Sequence, residues 1–266
     1  GYNKQNVFEA IPLILFGLFK KVVIADRLAL YVDKLFNETG KNQGVAVWYG
    51  LVFLSFQIYL DFSGYTDLAL GAARLLGIKL TTNFKRPYLS ENIVEFWNRW
   101  HLSFSTWLRD YIFYPLRRNL VQFTGKSTGF LALVIPPLIT MLASGIWHGT
   151  GWTFVFWGLY HAVFYIGVVL VRSRQGSGTQ KPAWLRWTGI FLNFIVITIG
   201  WILFRSASLS EAWSMFKSLF ALNLSVADFM ERLFSVYFLL ARGFIVLVIV
   251  VEIFLEVRGK RFDFAT

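Results

Sequence analysis

Apolar residues in this chain come in long unbroken runs rather than in alternation. Four runs, at residues 129–147, 152–171, 188–204 and 233–257, approach the ~20 residues that an α-helix needs to cross a bilayer. The last of these carries Arg242, with Glu252 and Glu256 near its end. A fifth run, 45–60, is somewhat short. A sixth, 8–24, is interrupted by Lys20 and Lys21, which predicts an interfacial helix or an early stop.

The pattern changes over residues 61–128. This segment is too polar to cross a bilayer repeatedly and too aromatic for an ordinary loop. Ser90 is placed to cap a helix starting at Glu91. Phe96, Trp100, Phe104, Trp107 and Tyr111 then recur at the spacing of one helix face. His101 falls beside that stripe, in line with Trp97, Phe104 and Leu108. Polar side chains at membrane depth persist only when buried in protein or lining a wet cavity. The segment therefore predicts an internal cavity reached from the cytoplasmic side. Further on, Ser208-Leu209-Ser210-Glu211 fits a capping box, with Trp213, Phe216, Leu219 and Phe220 at helical spacing behind it. That predicts an amphipathic helix on the outer surface. Residues 174–179 predict a flexible connector.

Composition narrows the class. The chain is 56% hydrophobic and only 15% charged, against about 25% charged in a soluble domain. The continuous runs exclude a β-barrel, whose strands alternate. The fold class that fits is an all-α, polytopic transmembrane protein, a single integral-membrane domain over residues 1–266. A net charge of +11 would suggest nucleic acid in a soluble protein. Here the basic residues cluster in loops between spans, so no nucleic acid is expected. The segment 117–126, the loop 172–186 and the C-terminal tail (Arg258, Lys260 and Arg261 against Asp263) are rich in Arg and Lys, which places them in the cytoplasm. Residues 205–232 balance Arg205, Lys217 and Arg232 against Glu211, Asp228 and Glu231, and face outside. Without cysteine there is no disulfide or thiolate chemistry.

The chain has three histidines, all within residues 101–161. His148 lies between two apolar spans, flanked by Gly145, Gly149 and Gly151. It reads either as a general base on a tunnel floor or as an interfacial histidine at a turn. The prolines at 136 and 137 can bend the preceding span. His101 reads as a donor-positioning group or as a polar residue of an interfacial helix. His161 lies within a span and reads as a helix-packing hydrogen bond. Asp61 and Asp67 either bind a hydroxyl-rich group or mark a membrane exit and the cap of the next helix. Arg99, Arg109 and Asp110 suggest an ion pair or a site for a phosphate-bearing carrier. The histidine spacing forms no metal-ligand motif, and no metal is expected.

Several stretches together resemble a known family. Phe96-Trp97-Asn98-Arg99-Trp100-His101, Ser103-Phe104-Ser105-Thr106-Trp107-Leu108-Arg109-Asp110-Tyr111 and Gly145-Ile146-Trp147-His148-Gly149 are similar to the membrane-bound O-acyltransferases. Tyr59-Leu60-Asp61-Phe62-Ser63-Gly64-Tyr65-Thr66-Asp67 and Trp152-Thr153-Phe154-Val155-Phe156-Trp157-Gly158-Leu159-Tyr160-His161 resemble the branch that O-acetylates alginate. The resemblance runs along nearly the whole chain. It also implies that N-terminal and some C-terminal helices of a full member lie outside these residues.

The resemblance implies a ring of tilted helices, with re-entrant and interfacial helices, around a central tunnel. It places the catalytic histidines at His148 and His101. Trp147, Trp100, Asn98, Arg99, Asp61, Asp67 and His161 become supporting residues of the tunnel. The donor substrate would be an acyl, most simply acetyl, thioester arriving from the cytoplasm, with no bound cofactor. The acceptor would be an extracytoplasmic, alginate-like polysaccharide or a periplasmic acetyl-relay protein. The setting would be the bacterial cytoplasmic (inner) membrane and its lipid, crossed several times. In this picture His101 sits on the cytoplasmic approach and His148 on the outer one. Two other functions remain open: D-alanyl transfer of the teichoic-acid type, and a non-enzymatic transporter or channel.

Overall fold

The computed structural model describes residues 4–37, 44–174, 182–221 and 236–258, and among these there are helices but no strands. The predicted connector beyond Arg174, the residues Lys181, Asp228, Glu231 and Arg232, the start of the predicted 233–257 span, and Lys260, Arg261 and Asp263 lie outside the described residues. The chain divides into two compact units, one of Gly1–Asn83 with Trp213–Thr266 and one of Phe84–Ala212. Four described helices are long and apolar enough to cross a membrane: Val45–Leu75, Phe130–His148, Trp152–Arg174 and Ala183–Arg205.

In the first unit, helix α1 (Lys4–Leu18) widens into a π-helical segment (Phe19–Ala25) and continues as α2 (Asp26–Asn37). The lysines at 20 and 21 thus do not end the helix. They lie in its π segment and face acids: Lys20 pairs with Asp67 at 2.7 Å, and Lys21 with Asp61 at 2.6 Å and Asp26 at 2.8 Å. Asp61 and Asp67 sit on α3 (Val45–Leu75), a helix of 31 residues that runs straight through the expected boundary at residue 60. The helix does not end at Asp61, and Asp67 caps no helix. At ~1.5 Å per residue α3 spans roughly 46 Å, longer than the ~30 Å hydrocarbon layer. Helices α1 and α3 touch through glycine: a Cβ at Gly17 would come within 2.7 Å of the Gly64 carbonyl oxygen. Close backbone approach of this kind, together with an Arg74–Glu9 bridge of 3.1 Å, holds the pair. In the same unit the buried Glu252, on the helix Val236–Val257, accepts a hydrogen bond from Tyr59 of α3.

The second unit is built on a helical hairpin. Helices α7 (Phe130–His148) and α8 (Trp152–Arg174) are joined by only residues 149–151. A Cβ at Gly158 of α8 would strike the Met141 carbonyl oxygen, so the two backbones lie nearly in contact. Helix α9 (Ala183–Arg205) packs along α8, where Tyr160 donates to the Val196 carbonyl at 2.8 Å. Asn193 of α9 donates to the Ser90 carbonyl at 3.1 Å and its hydroxyl at 2.8 Å, both buried. This ties the aromatic segment onto the hairpin. The predicted capping box is present: Glu211 N–H donates to Ser208 Oγ at 3.1 Å, and the Glu211 carboxylate reaches back to the Ala207 N–H at 2.8 Å. It opens the amphipathic helix Leu209–Leu219, with Trp213 and Phe220 exposed on either side of its C-terminal turn.

Candidate active site

The segment expected to form one helix from Glu91 is instead broken. Helix α4 (Ile93–Trp97) is capped by Asn92, whose side chain accepts from the Glu95 N–H at 3.1 Å. Ser90 is used elsewhere, donating to the Pro87 carbonyl at 2.6 Å. The chain then turns at residues 98–101, where His101 adopts φ 46°, the left-handed region that costs a non-glycine residue roughly 1–2 kcal/mol. Helix α5 (Leu102–Leu108) follows, then a π segment (Arg109–Phe113) and α6 (Tyr114–Thr124). The break has a packing reason. Phe96, Trp97 and Trp100 are all buried, whereas a single stripe would leave one of these faces outside. Conversely Trp107 and Tyr111, assigned to the same stripe, are 50% and 69% exposed. The turn is secured by Arg99: its carbonyl accepts from the Lys85 N–H at 2.9 Å, and its guanidinium bridges Glu95 at 2.6 Å. The Arg99 guanidinium is thus held in a local ion pair. Arg109 pairs with the adjacent Asp110 at 3.5 Å, on the surface.

The break carries α5 to the end of α7 and brings the two candidate histidines together. Phe104 stacks on His101 at 5.1 Å between ring centroids and meets His148 at 5.8 Å. Trp147 also touches both, at 6.2 Å and 4.9 Å. His101 and His148 are therefore one aromatic ring apart.

His161 differs from expectation as well. It is fully buried, and neither ring nitrogen has a hydrogen-bond partner among the described residues. It packs between Trp157 at 4.6 Å and Trp97 at 5.5 Å. Trp157 in turn touches His148 at 5.3 Å, so all three histidines belong to one aromatic cluster. Trp100 is buried in its far side against Phe96 and Trp201. Asp61 and Asp67 lie in the other unit, paired with lysine as described. Sequence reasoning passed over Phe104, Trp157 and Phe204 as contacts of His148. The usable signal was the one-turn spacing from Trp157 to His161 on α8.

Beside this cluster is a cavity of ≈ 480 Å³, walled in part by Trp97, Asn98, Ser105, Arg109, Arg117 and Tyr165. Its walls mix apolar and polar side chains, with two arginines among them. That suits a flexible ligand with an anionic end.

His101 lies outside the four spanning helices, and burial lowers its imidazole from the ordinary 6.5 to about 4. The ring is thus neutral at physiological pH and available as a proton acceptor or neutral donor. Because the folded pKa lies below the unfolded one, the unfolded chain binds the extra proton first. The contribution of this group to stability is then full above about pH 6.5 and falls as pH drops toward 4. Carbon-13 labelling of the histidines, with His101→Gln to assign the signal, should show a midpoint near 4. A midpoint at 6.5 would mean that the ring is in water.

The family model for the membrane-bound O-acyltransferases matches residues 1–213. The chain is 39% identical over 205 residues to a probable alginate O-acetylase of Azotobacter vinelandii, covering 77% of this chain and 38% of that protein. It is 35% identical over 226 residues to a peptidoglycan O-acetyltransferase of Helicobacter pylori, covering 83% and 40%. A teichoic acid D-alanyltransferase of Streptococcus thermophilus is 31% identical over 234 residues, covering 77% and 53%. The chain thus spans about two fifths of the length of the O-acetylating relatives. With four membrane-competent helices and a family match over most of its length, this chain belongs to the membrane-bound O-acyltransferase family.

Proposed function

We propose that the protein is a multi-pass acyltransferase of the bacterial cytoplasmic membrane that moves acetyl groups from a cytoplasmic thioester onto hydroxyls of an extracytoplasmic polysaccharide. The observation that carries this reading is the pairing of His101 and His148 through Phe104 and Trp147, beside the cavity with Arg109 and Arg117 among its walls. His148 takes the proton of the acceptor hydroxyl while that oxygen attacks the thioester carbonyl. The C–O bond forms, the C–S bond breaks, and the proton passes from His148 to the departing thiolate. His101, neutral, holds the donor end. Arg109 and Arg117 suit a phosphate on the donor's arm. General-base action supplies about 10²–10⁴-fold, and alignment in a dry site supplies much of the remainder. The acceptor is either the polymer itself or a periplasmic protein that relays the acetyl group.

Family membership weighs against a transporter. D-alanyl transfer is the second reading, favoured by the 31% identity to the teichoic acid enzyme. Deleting the gene and analysing base-released groups from the cell envelope separates the two. Loss of acetate supports acetylation, loss of D-alanine supports the alternative, and loss of neither sinks both.

A further inference from the structure

His148 ends α7 inside four aromatic rings. Trp147 is its chain neighbour, at 4.9 Å. The other three arrive from separate elements: Phe104 of α5 at 5.8 Å, Trp157 of α8 at 5.3 Å and Phe204 of α9 at 5.2 Å. The planes of these three make angles of 69°, 86° and 76° with the imidazole. Rings so nearly perpendicular place the edge of one against the face of the other, and aromatic faces are electron-rich.

A histidine that accepts a proton needs something to stabilise the resulting cation, commonly a carboxylate. Residues 84–212 contain four carboxylates: Glu91, Glu95, Asp110 and Glu211. Each is engaged away from His148. Glu91 faces Arg186 at 3.5 Å, and Glu95 bridges Arg99 at 2.6 Å. Asp110 pairs with Arg109 at 3.5 Å, and Glu211 accepts from the Ala207 N–H at 2.8 Å. Among the described residues of this unit, aromatic rings pack against the imidazole. The other two histidines flank the cage, His101 against Phe104 and Trp147 and His161 against Trp157, and both lie close enough to His148 to interact with it electrostatically.

We propose that Trp157 and Phe204 are positioning residues that act through His148: their ring faces receive its N–H edge and stabilise the imidazolium formed when it accepts the hydroxyl proton, in the place a carboxylate would take. A cation over an aromatic face is favoured by the ring quadrupole. This inference rests on the functional reading above, in which His148 is the base.

Stepwise fluorination tests it, because fluorine drains the face of the ring while barely changing its size. Fluorinated tryptophans are placed at 157, and fluorinated phenylalanines at 204, in the whole protein by stop-codon suppression. The strain lacks the chromosomal copy. The initial rate of acetyl-ester accumulation on surface polymer, normalised to protein level, should fall with each fluorine, by about tenfold across either series. Phe204→Leu should lose a similar amount and Phe204→Tyr should restore it. His148→Ala in the same strain keeps the two readings apart. If His148→Ala retains wild-type esters, the functional reading itself fails. If His148→Ala is inactive and the rate stays flat or rises with fluorine, the cage is overturned and the base assignment stands.

Discussion

His148→Ala should abolish acetyl esters on the cell-surface polymer, with a fall in initial rate of at least ~10²-fold, while the amount of protein in the membrane is unchanged. The reason is geometric and chemical together. His148 ends a long apolar helix, and its ring stands against three aromatic side chains brought from α5, α8 and α9. No other histidine stands in the same place. His161 is sealed away with no access to substrate, and His101 is held by the left-handed turn on the other side of Phe104. If His148 is the base, as proposed, removing the imidazole takes away the proton acceptor without a neighbour able to replace it. The check is base-released acetate measured against an immunoblot of membranes. Wild-type acetate at a normal protein level would end the catalytic assignment.

Gly158→Ala should destabilise the protein by about 1–3 kcal/mol, because the added methyl has nowhere to go. A Cβ at Gly158 would collide with the Met141 carbonyl oxygen, and one at Gly145 with that of Phe154. Both obstacles are backbone, so no rotamer change relieves them. The hairpin must open, and with it the approach of Trp157 to His148. Gly167, in the same helix, has no atom within 4 Å of its would-be Cβ, so Gly167→Ala serves as the control. In detergent the Gly158→Ala midpoint should drop by several degrees, while Gly167→Ala holds or gains through helix propensity. Equal midpoints for the two variants would show that α7 and α8 do not meet as described.

The spans were legible because a bilayer leaves one local solution for an apolar run: close every backbone hydrogen bond within the helix. The expected 129–147, 152–171 and 188–204 correspond to Phe130–His148, Trp152–Arg174 and Ala183–Arg205, differing only at the ends. The capping box at Ser208 was legible for the same kind of reason, since its bonds join residues three or four apart. Charges inside helices misled. Lys20, Lys21, Asp61 and Asp67 look like ends of spans when each is read alone. They lie inside continuous helices, where Lys20 meets Asp67 and Lys21 meets Asp61, partners dozens of residues away in the chain.

The scarce histidines, the tryptophans before two of them and the resemblance these motifs carry were determined by the sequence. It also determined the all-helical membrane class. Only the tertiary structure decided that the aromatic stripe breaks at residues 98–101, so that Phe96, Trp97 and Trp100 can all be buried at once. It also decided that His101 and His148 share Phe104 and Trp147, and that rings from three helices close around His148. Periodicity and charge rules read contacts within a turn or two of helix. Two of the rings around His148, Phe104 and Phe204, lie more than forty residues away in the chain, and Trp157 comes from across the α7–α8 turn, so the surroundings exist only once α5, α8 and α9 have packed against the end of α7.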